Sequence, residues 1–285
     1  MASWKNATID RTATLRGILR PVETAARTDL RRDAPVSEPL RPFVERYWSV
    51  RWDLTGQPPF RSEVLSHPSV NLSVESGTDP RFGVAMPAVL LHGVVTRRFS
   101  IDLTGSGRVN AVKFRPGGFT ALTGALPARN SVAPLGRELG IPAERLLIDV
   151  LEPEDDDDRA AVLDASLAPL ATEPPDAYLD LLGLIGAMIE DRELVRVDQV
   201  AALGGVSVRS LQRLFAGYVG VSPKAVLARY RLQDAAAAID AGEVHDLAGL
   251  AASLGWFDQA HFSRNFHAVV GVTPSAYLQR ARQAR

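Results

Sequence analysis

SVRSLQRLFAGY, residues 207–218, reads as a helix with two unlike faces. At 100° per residue, Leu211, Leu214, Phe215 and Tyr218 fall on one side and Arg209, Gln212, Arg213 and Ala216 on the other. The first face can pack against a core. The second offers two planar guanidinium forks and an amide, the groups that pair bidentately with guanine and adenine edges in a DNA major groove. Upstream, Gly204 and Gly205 can end a preceding helix with a positive φ, and Ser207 can cap the new one by accepting a backbone N–H. Taken alone, this is also the pattern of a structural helix with arginines outside.

A second copy separates the two readings. At an offset of 51, Arg213 recurs as Arg264, Phe215 as Phe266, Val219 as Val270, Gly220 as Gly271, Pro223 as Pro274 and Arg229 as Arg280. Upstream, Ala201, Leu203 and Gly204 match Ala252, Leu254 and Gly255 at the same offset, so the spacing predicts two gapless helix-turn-helix units, about 197–219 and 246–270. In the second unit Asp258 is the expected N-cap and Phe262, Phe266 and Val269 the buried stripe. Gln259, Ala260, Ser263, Arg264 and His267 lie opposite. His261 sits at the stripe's edge, suited equally to packing and to touching DNA.

The run VDQVAALGGVSVRSLQRLFAGYVGVSPKAVLARYRLQDA, followed by LAGLAASLGWFDQAHFSRNFHAVVGVTP, closely resembles the tandem helix-turn-helix DNA-binding domain of AraC-type transcription regulators. The resemblance covers roughly residues 197–283. Its most specific part is G-[WYF]-x-[DS]-x-x-x-F-x-R-x-F-[+]-x-x-x-G-x-[TS]-P, at residues 255–274, with His267 where Lys or Arg usually stands. The resemblance implies sequence-specific binding to double-stranded DNA. The base-reading candidates are Arg209, Gln212, Arg213, Gln259, Ser263 and Arg264, although the resemblance also suits Arg264 to structure or backbone contact. The DNA-backbone candidates are Ser207, Lys224, Arg229 and His267. Arg231 is a further backbone candidate, and Arg229 and Arg280 equally suit ion pairs inside the repeat. Ser222 before Pro223 and Thr273 before Pro274 predict two capped helix starts.

Charge follows the repeat. Residues 192–285 hold 11 Lys and Arg against 7 Asp and Glu, a net +4, while residues 1–191 hold 21 against 26, a net −5. A modest excess fits a few placed arginines better than a polybasic arm that binds by counterion release. The chain has no cysteine, which excludes disulfides, thiolate zinc sites and a cysteine nucleophile. No apolar run is long enough for a membrane helix and the N-terminus has mixed charges, so the expected location is the cytoplasm.

With 285 residues, two domains are expected. Residues 15–115 change to short alternating runs: LRGIL, TDLRR, YWSVRWDL, VNLSVES, RFGVAM, VLLHGVV, RRFSIDL and RVNAVKF. These predict an antiparallel sheet folded as a barrel or sandwich, with turns at 56–59, 77–80 and 105–107. Residues 42–47 suit a short helical turn, FRPGG a strand-to-helix turn, and APLGRELG a helix. FVERYWSVRWDL, VLSHPSVNL and VKFRPGGFTALTG resemble the cupin-related sensor domain that precedes AraC-type domains in some regulators. That implies a β-rich module that senses or dimerises. A ligand pocket is then expected inside it, lined by Trp48, Trp52 and Phe82, with His67 and His92 as pocket or core residues. The H-x-H cluster of metal-binding cupins is missing, so no metal or cofactor is expected.

The acidic run 152–158 reads as a solvated linker or a lid over the basic domain. In residues 176–193, Tyr178, Leu181, Leu182, Ile185, Met188 and Ile189 form a stripe for dimerisation or for packing on the DNA-binding unit.

The expected architecture is therefore α+β: a β-rich antiparallel barrel or sandwich, cupin-like with helices, over 1–158, a helical connector over 159–175, and an all-α tandem helix-turn-helix domain over 176–285. The expected function is a sequence-specific, effector-responsive DNA-binding transcription regulator reading two adjacent major-groove segments. Its expected partners are double-stranded DNA, an unknown small-molecule effector, RNA polymerase and a second copy in a homodimer, with no membrane. The alternatives are an interaction protein with a degenerate helix-turn-helix domain and, less favoured, a cupin-fold enzyme. No catalytic residue is assigned, because no G-x-S-x-G, Walker loop or metal cluster is present.

Overall fold

A computed structural model describes residues 17–19, 21–31 and 34–283. Residues 1–14 lie outside the described residues, as does part of the LRGIL run. A short helix α1 (Pro21–Ala25) precedes eight strands: β1 (Asp29–Arg31), β2 (Val44–Leu54), β3 (Phe60–Val64), β4 (Asn71–Gly77), β5 (Ala88–His92), β6 (Phe99–Leu103), β7 (Gly105–Phe114) and β8 (Val132–Pro134). They form an antiparallel six-stranded sheet in the order β1-β2-β7-β4-β5-β8 and a separate pair, β3-β6. The arrangement is an open sandwich without barrel closure.

Period-2 alternation gives the large sheet two uses. Tyr47, Leu72, Val74, Val112 and Phe114 point to one side and are buried in the main core. There they meet α3 (Ala143–Leu151) and α4 (Asp156–Leu167). The alternate residues face β3 and β6 across a cavity that Trp48, Trp52 and Phe82 line, as expected.

Several expected elements move. Residues 105–107 are the start of β7, paired with Trp52, Asp53 and Leu54, because Gly107 lets the Trp52 ring lie on the backbone: a Cβ there would stand 2.4 Å from a ring carbon. RFGVAM makes only an isolated bridge from Arg81 to Val84, whereas FRSEV forms the unforeseen β3. APLGRELG is not helical: residues 132–134 pair with β5, and the helix waits until Ala143, after Pro142. A short helix α2 (Gly118–Thr123) follows the expected strand-to-helix turn, and residues 44–47 already belong to β2.

The acidic run is a helix start. Asp155 caps α4 by accepting from Asp157 N at 2.7 Å, and three aspartates occupy its first turn, where the helix dipole favours negative charge. Asp156 is buried beneath the sheet, accepting from Asn110 Nδ2 at 3.1 Å and Ser49 Oγ at 3.1 Å and paired with Arg159 at 3.0 Å. The expected connector is thus mostly α4 packed on β2 and β7, followed by a 3-10 turn at Ala168–Leu170.

The remaining helices are α5 (Asp176–Glu190), α6 (Val197–Leu203), α7 (Val208–Tyr218), α8 (Pro223–Ala241), α9 (Leu247–Ser253), α10 (Gln259–Val270) and α11 (Pro274–Gln283). No helix among the described residues is long and apolar enough to cross a membrane. The α5 stripe is spent within the chain: Tyr178, Leu181, Ile185 and Met188 are buried in the core that also holds Phe43, Leu211 and Phe215. Tyr178 donates to Pro42 O at 2.6 Å and stacks on Phe43. One continuous core therefore joins the sheet to the first helix-turn-helix unit. A second contains Phe262, Phe266 and Tyr277, with Leu19 and Leu65 from the β-rich half.

Candidate nucleic-acid interface

Each of the two units presents a capped helix with a polar outer face. In α7, Ser207 Oγ accepts from Ser210 N at 3.1 Å, Leu211 and Phe215 are buried, and Arg209, Gln212 and Arg213 are exposed. Arg213 Nη2 donates to Ser210 Oγ at 3.4 Å, which leans its guanidinium towards the helix start. In α10, Asp258 Oδ1 accepts from His261 N at 2.6 Å, Phe262, Phe266 and Val270 are buried, and Gln259, Arg264 and His267 are exposed. Ser263 is half-buried, and His261 packs edge-on against Trp256 at 5.2 Å. Both faces carry amide and guanidinium donors suited to base edges.

Between the units runs α8, 19 residues and so about 28 Å long. Ser222 caps it, accepting from Ala225 N at 3.2 Å, and Lys224 is exposed in its first turn. Thr273 likewise caps α11, accepting from Ala276 N at 3.2 Å.

Arg229, expected on the DNA backbone, has another place. It is 4% exposed, and its Nη2 donates to Val95 O at 2.6 Å and Arg97 O at 3.2 Å. Burial lowers its pKa to about 10, still far above neutrality, so it ties α8 to the β-rich half as a cation. Position 229 faces inward from α8, and no phosphate can reach it there. Arg231 also turns inward, donating to Leu254 O at 2.5 Å and lying over the Trp256 ring.

The repeat is not gapless. Val206 N donates to Ala201 O and Trp256 N to Ala251 O, while Gly205 and Gly255 both have positive φ. The first helices and turns therefore correspond at an offset of 50, and the N-caps Ser207 and Asp258 at 51. The extra residue is Phe257, and it is 92% exposed. The slip also explains why Leu203, matched to Leu254 at an offset of 51, is 58% exposed while Leu254 is buried: its counterpart in the second unit is Ser253. Phe257 stands one residue before the cap of α10 and two before Gln259. The sequence held its signal, an aromatic in a turn next to a polar helix face, but the 51-residue offset concealed the insertion.

Residues 200–280 match the family model described as a helix-turn-helix domain, and residues 32–131 match one described as a domain of unknown function (DUF6597). The C-terminal part of this chain is an AraC-type helix-turn-helix domain. Among solved structures, the C-terminal domain of AraT, a response regulator from Geobacillus stearothermophilus, is similar at 22% identity, covering 35% of this chain and 84% of that one with a TM-score of 0.33. A transcriptional regulator with an AraC-type DNA-binding domain from Chromobacterium violaceum matches at 24% identity, covering 37% and 94%, with a TM-score of 0.33. ToxT from Vibrio cholerae matches over 88% of this chain and 97% of its own at 13% identity, with a TM-score of 0.41. The helix-turn-helix domain at residues 200–280 supports a DNA-binding role in transcription regulation.

Proposed function

We propose that the chain is an effector-responsive regulator that reads two adjacent major-groove segments, one with α7 and one with α10. The observation that carries this is the pair of capped helices, each with a buried aromatic stripe and an exposed guanidinium and amide face, joined by the single helix α8. Arg209, Gln212, Arg213, Gln259, Ser263 and Arg264 are assigned to base edges, and Ser207, Lys224 and His267 to the backbone. Residues up to about 170 form the sensing unit and 176–285 the DNA-reading unit. A homodimer and RNA polymerase are its further partners in this reading.

Effector control has a physical route. The segment between β5 and β6 begins at the cavity, where Val95 and Phe99 are wall residues. Its carbonyls at Val95 and Arg97 hold Arg229 of α8, and Arg98 N donates to Val269 O of α10 at 2.7 Å. A ligand that prefers one position of this segment also prefers one position of the reading helices, and such coupling is worth about 1–3 kcal/mol. Selection of duplexes from a random library by the full chain, with and without cell extract, tests the reading. Enrichment of one motif, with an affinity that the extract alters, supports it. Binding without sequence preference contradicts it.

A further inference from the structure

The cavity between the two sheets measures about 190 Å³. That is somewhat more than the roughly 150 Å³ of an apolar cavity that takes up benzene, so one or two rings fit. Its wall is mostly apolar. Trp48, Val50 and Trp52 are successive inward positions of β2, and Phe99, Ile101 and Leu103 of β6 face them from the opposite wall. A sugar would leave most of its hydroxyls without partners there.

The charged side chains of the wall are each held in an ion pair. Arg46 and Lys113 lie 2.5 and 2.9 Å from the Glu45 carboxylate, and Arg81 lies 2.9 Å from that of Glu75. An ion entering the cavity would have to take a partner from one of these pairs or be buried without one, and either is costly in a low-dielectric site. A neutral molecule meets neither penalty. The Asn71 amide differs from these groups. Among the described residues its side chain makes one hydrogen bond, from Nδ2 to Ser69 O at 3.5 Å, the outer limit for such a bond, so it retains both donor and acceptor capacity for a guest.

Beside Asn71 stands an aromatic corner. Strand register sets His92 of β5 directly across from Asn71 of β4. The His92 ring meets Phe82 at 5.6 Å and Phe99 at 6.1 Å, and Phe82 meets Phe99 at 5.8 Å. All three residues line the cavity. Phe82 is held there by its backbone, with φ at 51° and that of Gly83 at 75°, a left-handed pair. A bulky residue rarely adopts that conformation, and such strain collects at ligand sites. Phe82 remains 36% exposed, so packing within the chain accounts for only part of its placement.

We propose that the cavity binds a neutral aromatic molecule of one or two rings, its ring in the corner of Phe82, His92 and Phe99 and one hydrogen-bonding substituent at the Asn71 amide. Aromatic rings pack edge-to-face or offset on one another at such spacings, which favours a planar guest over its saturated counterpart. The proposal deepens the reading of the N-terminal half as a sensor and, as a statement about the regulatory ligand, rests on it.

The test uses the full chain with phenol, indole and quinolin-2-one as neutral aromatic probes, cyclohexanol as a saturated one, and benzoate and benzylammonium as charged ones. Calorimetry reads the affinities. At least one neutral aromatic is expected to bind about tenfold or more tightly than cyclohexanol and both ions. Phe82→Gly, which suits the positive φ, should keep the ligand-free melting temperature and weaken that probe about tenfold. Asn71→Leu should weaken it about three- to tenfold, the scale of one neutral hydrogen bond, with ligand-free melting as the control for folding. If no neutral aromatic outbinds cyclohexanol and both ions, or if Phe82→Gly or Asn71→Leu leaves the affinity unchanged, the proposal is overturned. Operator affinity with and without each probe separates the two claims. A neutral aromatic that binds as stated and leaves DNA affinity unchanged contradicts the sensor reading alone. A charged or saturated probe that outbinds the aromatics and shifts DNA affinity contradicts the ligand class alone.

Discussion

Arg213 makes one weak contact, to Ser210 Oγ at 3.4 Å, and is otherwise exposed, so its fork can turn to a base edge at little cost to the fold. Arg213→Ala and Gln212→Ala should each weaken specific binding by about 1–3 kcal/mol per bidentate pair, with unfolding unchanged. Lys224→Ala should instead weaken all sequences alike and flatten the salt dependence. Phe257 predicts a third behaviour. An exposed ring two residues before Gln259 is placed for apolar contact with a thymine methyl, so Phe257→Ser should leave the melting temperature in place and weaken operator binding. Operators with deoxyuridine in place of thymidine, titrated against wild type and F257S, check this: the substitution should cost the wild type affinity and the variant none. An equal loss in both proteins would remove Phe257 from the interface.

At the scale of the element, helix faces were legible because burial and capping are local and periodic. Ser207, Ser222 and Asp258 cap where a hydroxyl or carboxylate precedes an apolar period, and Leu211, Phe215, Phe262 and Phe266 are buried. Phe215→Ala or Phe266→Ala should cost about 3–5 kcal/mol in urea unfolding, whereas exposed Leu203→Ala should stay within about 0.5 kcal/mol. Partners distant in sequence were not legible. The inward turn of Arg229 depends on carbonyls at Val95 and Arg97, over 130 positions away, and β3 shows itself only through its pairing with β6. Asp156 looked like linker charge because its hydrogen-bond donors, Ser49 and Asn110, come from two separate strands.

At the scale of the whole molecule, buried carboxylates and cross-half ties set its response to conditions. Burial alone would raise Glu75 and Asp156. The hydrogen bond from His92 and the charge of Arg81 on Glu75, and the bonds from Asn110, Arg159 and Ser49 on Asp156, hold both below their ordinary values. Groups lowered by folding stabilise the protein fully above the unfolded carboxylate pKa of about 4, and that stability is lost as pH falls through their folded values. Thermal stability should therefore fall steeply on acidification below about pH 4, and Asp156→Asn should make that decline shallower. Arg229→Met, which keeps bulk and removes the donors to Val95 and Arg97, should leave operator binding in place but reduce any ligand-induced change in affinity, measured by comparing titrations with and without cell extract. An undiminished response would exclude the segment between β5 and β6 as the route.

The most direct measurement is a footprint of the full chain on its selected operator at single-nucleotide resolution. Two recognition helices joined by α8, about 28 Å long, should protect two major-groove segments about one turn, ~34 Å, apart on one face of the duplex. Arg213→Ala should lose one segment's contacts and Gln259→Ala the other's. Protection of a single segment, or the same segment weakened by both substitutions, would contradict reading by two helices.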